Sequence, residues 1–426
     1  MATTRIVLCP DKFKGCLTAS QVCDAMAAGI HSVDPSIAID PCPMADGGEG
    51  TVDALVAATG GRTVSRRVTG PLPGMKVDAP IGILGSAGLT ADGDRSTAVI
   101  EMASASGLHL LKPEQLDPTR TTTYGTGELL LAATELGIKR IILGIGGSAT
   151  TDGGIGAAQA WGARFVLKTG QSFTAGDRRL TGGDLKNLLR FEPLMPHDAD
   201  DDGNGHAMRL LEDATSRRSA AASVTHYRPL LNTRGIEFTV AWDVGNPLFG
   251  PDGAAAVFGP QKGASPEQVR ELDAGLRQLA DKLHRTPLAD APGAGAAGGL
   301  GFGMMAFFGA TLRPGASIVM DATRLRDRLA GATLCLTGEG RLDTQSLSGK
   351  TPIAVSRICK ALNVPCIALA GTLDPGLSDR ALAEGLTAAF SIARGPADLA
   401  ACLRDAPALL TAATATVLRT FLARRG

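Results

Sequence analysis

The chain carries no excess charge of either sign: lysine plus arginine equal aspartate plus glutamate at 42 each over 426 residues. A balanced surface offers no broad field to nucleic acid or to an acidic membrane, so neither is an expected partner and any anion site must be local. Long apolar runs are also missing, because charges or glycines interrupt every stretch that could span a bilayer. Asp11, Lys12 and Lys14 follow the first apolar run too closely for a signal-peptide core. The eight cysteines include no CxxC pair and sit mostly within apolar runs, as at Cys9, Cys335 and Cys366. That argues against zinc and against a disulfide framework, and makes the cytoplasm the expected compartment. None of the six histidines stands at metal spacing or beside a nucleophile, and no GxSxG elbow occurs, which disfavours a serine hydrolase. A Walker A loop is absent as well, although Gly349, Lys350 and Thr351 form an isolated GKT. No GxGxxG follows the first strand, since PDKFKG fills that turn, which disfavours a nicotinamide-dependent dehydrogenase.

Glycine, in contrast, is abundant at 54 residues and is clustered between apolar runs. Glycine permits left-handed backbone and close approach to a ligand, so such clusters mark candidate binding loops. The chain exceeds what one core usually organises, so two domains are expected. Strand RIVLC at 5–9, helix 19–30, strand 37–42 and helix TVDALVAAT predict a βαβα start. The tail repeats that grammar with ATLCLTGEGRLD, TPIAVSRICKAL and VPCIALAGTLD. Between the ends, strands around 62–84 and 96–104 lack intervening helices and predict antiparallel or mixed sheet. The expected fold class is α/β: a Rossmann-like parallel-sheet domain built from both chain ends, residues 1–61 and 301–426, with a second inserted mixed α/β domain at 62–300. Residues 196–222 are polar and acidic and predict a mobile surface loop; their DADDD run lacks calcium-loop spacing.

Several glycine loops pair glycine with carboxylates, lysine and hydroxyls, the composition that phosphoryl transfer requires. PDKFKG places Asp11, Lys12 and Lys14 at the end of strand one, though a solvated turn would read the same way. ADGGEG sets Asp46 and Glu49 around Gly47 and Gly48 before a helix; capping alone would need one acid, not two with three glycines. GIGGSATTDGG at 144–154 interleaves glycines with Ser148, Thr150 and Thr151 and ends on Asp152; phosphate cradling is favoured there over a tight packing turn. Lys262 stands between glycines in GPQKGA, and TGEGRLDTQSLSGK adds Glu339, Arg341, Asp343, Gln345 and Lys350.

These blocks, together with TTTYGTGEL at 121–129, DVGNPLFGPDGAAAVFGPQKGA at 243–264 and PGAGAAGGLG at 292–301, run in an order that resembles the bacterial-type glycerate kinase family over nearly the whole chain. The resemblance implies ATP and Mg2+, D-glycerate as acceptor, ADP release and a phosphoglycerate product, 2-phosphoglycerate ahead of the 3-phospho isomer. It further implies catalytic roles for Asp46, Asp152, Lys262 and Asp343, with Asp46, Asp152 and Asp343 as magnesium ligands. Asp11, Lys14, Gly47, Gly48, Glu49, Ser148, Thr150, Asp243, Asn246, Glu339 and Arg341 are implied to bind substrate or phosphate. A non-catalytic glycerate and nucleotide sensor is the alternative, but the charged loop residues are all retained. The chain departs from the family's pattern at Cys16, Thr151 and Trp161, where serine, asparagine and a small aliphatic are usual.

Overall fold

The chain is described by a computed structural model covering residues 4–85, 97–192 and 229–423, apart from 232, 234, 345, 349, 375, 377 and 396. The polar segment at 196–222 and Gln345 lie outside the described residues. Five strands form a fully parallel sheet in the order β14, β13, β12, β1, β2. They are β1 (Arg5–Pro10), β2 (Ala38–Pro41), β12 (Leu334–Leu342), β13 (Cys366–Leu373) and β14 (Ala388–Ser391). β1 is apolar at almost every position because both of its faces are covered, the usual pattern of an inner parallel strand.

A second sheet has the order β11, β10, β6, β5, β4, β3. Its strands are β3 (Arg62–Thr69), β4 (Lys76–Ile83), β5 (Thr97–Glu101), β6 (Arg140–Gly144), β10 (Glu237–Trp242) and β11 (Thr311–Pro314). β5, β6, β10 and β11 run parallel, whereas β3, β4 and β5 are joined antiparallel, so the sheet is mixed as expected. β3 lies at the edge and carries three arginines, of which Arg62 and Arg67 are exposed, which blunts edge pairing. A small third sheet joins β7 (Arg164–Leu167), β8 (Ser172–Phe173) and β9 (Leu188–Glu192).

Eight helices position the loops discussed below: α1 (Ala19–His31), α2 (Thr51–Thr59), α3 (Tyr124–Glu135), α4 (Ile155–Ala160), α5 (Pro266–Lys282), α6 (Ala296–Phe308), α7 (Thr351–Ala361) and α8 (Leu399–Leu422). The expected boundary at 300 falls inside α6, and β11 still pairs within the second sheet, so the chain returns to the first sheet at β12. α6 is broken at Ala297, Gly298 and Gly299, all at positive φ. A Cβ at Gly298 would stand 2.0 Å from the Thr150 carbonyl, so the glycines of PGAGAAGGLG let this helix pack directly on loop 144–154. Trp161 is used in the core of the second sheet, edge-on to Phe238 and Phe308. One apolar cluster runs from Val7 and Cys335 of the first sheet through Leu55 to Val99 and Ile142 of the second, welding the two sheets at α2. Among the described residues, no helix is long and apolar enough to cross a membrane.

Candidate active site

Strand order in the first sheet reverses at β1, which neighbours β2 on one side and β12 on the other. Ligands of open parallel sheets bind at such reversals, beyond the carboxyl ends of the strands. Asp11 follows β1, and Glu339 and Arg341 lie in the last part of β12. From the second sheet, Gly147 after β6 and Asp243 after β10 face the same space. The cavity between them measures about 910 Å³. Asp11, Lys14, Asp46, Gly48, Glu49, Asp243, Glu339 and Arg341 line it, so eight of the residues expected from sequence converge.

Local contacts explain why these loops point inward. Gly47 has φ +96° and would bring a Cβ to 2.9 Å from the Ala241 carbonyl, so only glycine lets loop 45–50 lie against β10. The Gly47 carbonyl accepts from Gly146 N at 3.3 Å, tying loop 45–50 to loop 144–154. Helix α2 is capped from a distance: Val52 N donates to Glu101 Oε1 at 2.8 Å. That partner frees the Glu49 and Asp46 carboxylates from capping, apart from a 3.3 Å bond from Gly48 N to Asp46 Oδ1.

Asp11 accepts from Lys12 N and from Thr351 Oγ1, both at 2.7 Å, which joins β1 to the first residue of α7. Glu339 accepts from Ser346 Oγ at 2.6 Å. Lys12 Nζ donates to the Glu49 carbonyl. Burial, then the negative charge of Asp46, raises Asp11 to about 7 and Asp243 to about 6. Glu339 is raised to about 7, chiefly by burial, with Asp11 and Asp46 adding to the rise and Lys350 opposing it. The site therefore holds more negative charge than its own lysines offset.

A pH dependence follows. Between about pH 4 and pH 7 these three carboxyls bind more protons folded than unfolded, so stability falls as pH rises through that window. The thermal midpoint in metal-free buffer is expected to drop across that range, measured by scanning fluorimetry; a midpoint that climbs instead contradicts the charge excess.

Other expected residues lie elsewhere. Asp152 is fully buried, and its carboxylate accepts from Thr123 N and Thr123 Oγ1 at 2.8 Å, Gly154 N at 3.0 Å and Gly156 N at 3.3 Å. Three of these bonds end on Oδ2 and one on Oδ1, and together they join loop 144–154 to the start of α3 and hold the carboxylate inside the fold. Lys262 is also buried, donating to Ser148 Oγ at 2.9 Å and to the Thr150 carbonyl at 2.6 Å. Burial lowers its pKa to about 7 against the pull of Asp152. Ser148 and Thr150 thus belong to an interior knot, where the Thr150 and Thr151 hydroxyls are buried without partners. Asn246 Nδ2 donates to the Asp252 carbonyl at 2.9 Å, shaping its own turn outside the cavity. Asp343 pairs with Arg341 at 3.3 Å on the rim.

Lys12 and Lys350, named in the candidate loops but given no role there, line the cavity too, and sequence reasoning missed the wall supplied by β14 and α8. Lys350 carried a signal, since it stands just before a Thr-Pro helix start at a strand end. Cys335, Cys359 and Cys366, with sulfurs within 4.8 Å of one another, are the compact metal-capable group among the described residues, but they lie in the core of the first sheet. The cleft offers oxygen donors instead, a set suited to a hard cation such as Mg2+.

Fold and site together define an α/β enzyme whose ligand cleft opens at a topological switch point. The family model described as the glycerate kinase family matches residues 6–196 and 201–422. A glycerate kinase from Halalkalibacterium halodurans is 42% identical over 91% of this chain and 90% of that protein. The glycerate 2-kinase of Escherichia coli K12 is 42% identical over 91% and 90%, and a Haemophilus influenzae glycerate kinase 40% identical over 97% and 98%. A crystal structure of a protein assigned as glycerate kinase 2 from Salmonella typhimurium LT2 superposes with a TM-score of 0.75 at 39% identity, covering 99% of both chains. The chain belongs to the glycerate kinase family and is a kinase.

Proposed function

We propose that this kinase transfers the γ-phosphoryl group of ATP to the 2-hydroxyl of D-glycerate, releasing ADP and 2-phosphoglycerate. The observation that carries the reading is the gathering of Asp11, Asp46, Asp243 and Glu339 with Lys12, Lys14, Arg341 and Lys350 around one cavity at the switch point. Phosphoryl transfer needs positioning, cations to offset phosphate charge and a carboxylate to take the hydroxyl proton. Similarity to the Escherichia coli glycerate 2-kinase supports the 2-hydroxyl as acceptor.

In this reading the glycerate hydroxyl oxygen forms the new bond to the γ-phosphorus as the bond to the β,γ-bridging oxygen breaks, and ADP leaves with that oxygen. Asp46 accepts the hydroxyl proton, being the acid whose charge perturbs the other three carboxyls. Arg341 and Lys14 at the cavity wall hold the glycerate carboxylate or the γ-phosphoryl oxygens, and a guanidinium fork suits a carboxylate. The carboxylate excess fits Mg2+, with Asp46, Asp11 and Asp243 as its holders in place of the inward-facing Asp152 and the rim residue Asp343; bound there, the ion would neutralise phosphate charge. Lys262 and Asp152 act at one remove by fixing loop 144–154. The two sheets act as two domains that share the cleft, and the eight free thiols suit the cytoplasm.

A coupled assay for ADP with D-glycerate and ATP tests the activity, and phosphorus NMR of the product tests the position. Turnover to the 3-phospho isomer would overturn the regiochemistry, and no glycerate-dependent ADP would overturn the function. Magnesium is expected to raise the thermal midpoint most above pH 7, where Asp11, Asp243 and Glu339 are ionised.

A further inference from the structure

The cavity does not end at its charged floor. It continues as an apolar arm whose one wall is the first half of α8, where Leu399, Cys402, Leu403 and Ala406 recur at helical spacing on one face. Phe13 and Cys16, from the turn after β1, line the same cavity. From Ala406 onward the inner face of α8 is covered: Ala406, Leu410, Val417 and Leu418 are buried with α1, and Thr411 Oγ1 donates to the Ala25 carbonyl at 3.1 Å. Before it, Cys402 and Leu403 are only partly buried, and Leu399 is 73% exposed at the arm's mouth. An apolar stripe that leaves the core and borders an open cavity is where an apolar ligand surface gains most from burial.

We infer that this arm holds the base and ribose of the nucleotide, between the Leu399–Ala406 face of α8 and the Phe13–Cys16 turn. The inference rests on the reading of the chain as an ATP-dependent kinase and adds where the nucleoside goes. Cavity size is the first argument: about 910 Å³ is at the upper end of the roughly 300–1,000 Å³ typical of small-molecule sites, far more than a three-carbon acid fills. Polarity is the second. The cavity grades from the cationic and acidic floor at Lys12, Lys350 and Asp46 to the apolar α8 wall, and a nucleoside triphosphate grades the same way from phosphates to base. With the base against α8, the phosphates run toward α7, whose N-terminus has no side-chain cap and carries Lys350 as its N-cap residue. The hydroxy acid is then left the opposite side of the floor, beside Gly48, Gly147 and Asp243.

The protein carries its own reporters. Of its eight free cysteines only Cys16 and Cys402 are not buried, and both line the cavity. At about ten times its Kd, ATP leaves roughly a tenth of the molecules open, so alkylation of Cys402 by N-ethylmaleimide should slow by about 10-fold, read by peptide mass spectrometry. D-glycerate alone, and inorganic triphosphate alone, should leave the Cys402 rate unchanged. Equal labelling with and without saturating ATP, or equal protection by inorganic triphosphate, overturns the inference. Independently, Cys402→Trp should raise KM for ATP by about 10-fold with KM for D-glycerate unchanged, because the indole takes the space of the base; an unchanged KM for ATP in the folded variant overturns it. The two readings fail separately. ADP formation without Cys402 protection removes the subsite and leaves the kinase, while ATP protection of Cys402 without glycerate-dependent ADP supports the subsite and removes the acceptor.

Discussion

Asp46→Asn is expected to lower kcat by roughly 10²–10⁴-fold, the contribution of a positioned proton acceptor, while the fold persists. The side chain sits on a loop held by glycine packing, Gly47 against Ala241 and Gly48 against the backbone of Gly146, with a single 3.3 Å bond from Gly48 N to its own carboxylate. Its charge is also what pushes Asp11 and Asp243 upward after burial has done so. Removing that charge should let both carboxyls ionise at lower pH, so the thermal midpoint above pH 7 should hold or rise as activity disappears. Steady-state kinetics and scanning fluorimetry on the same preparation measure both. A near-normal kcat would take the proton-acceptor role from Asp46, and a collapsed midpoint would make its role structural.

Asp152→Ala should do the reverse. Four donors, namely Thr123 N, Thr123 Oγ1, Gly154 N and Gly156 N, lose their acceptor in a site without solvent. Each buried donor left unsatisfied costs about 1–3 kcal/mol, so a loss of roughly 3 kcal/mol or more is expected even after relaxation. Lys262 also loses the one nearby charge that opposes its desolvation. Denaturant unfolding measures the loss directly. A variant that unfolds at the parent's midpoint yet has no turnover would return Asp152 to the cleft chemistry, against the geometry of its hydrogen bonds.

The contrast between these two aspartates shows what local pattern carries. Both follow a strand, sit among glycines and precede a helix, so their sequence contexts are nearly interchangeable. Asp46 opens onto the cleft because its loop spans the gap between two sheets, and Asp152 turns inward because α6 and the 121–123 segment close over it. Lys12 and Lys14 offer a similar lesson: two lysines in one turn, of which Lys12 reaches across to the Glu49 carbonyl and Lys14 stands exposed at the mouth. Glu101 had no local signal at all, since its part in capping α2 comes from a strand 49 residues away.

Read alone, the order of apolar runs and glycine-acid loops determined the α/β class, the mixed character of the second sheet and the family, because strand period, turn chemistry and motif order are properties of neighbouring residues. Only the tertiary structure decided that Asp11, Asp46, Asp243 and Glu339 share one cavity, that Asp152 and Lys262 face the interior, and that α8 supplies a wall. Burial and charge coupling depend on distance through space, and β1 meets β12 across more than three hundred residues of chain.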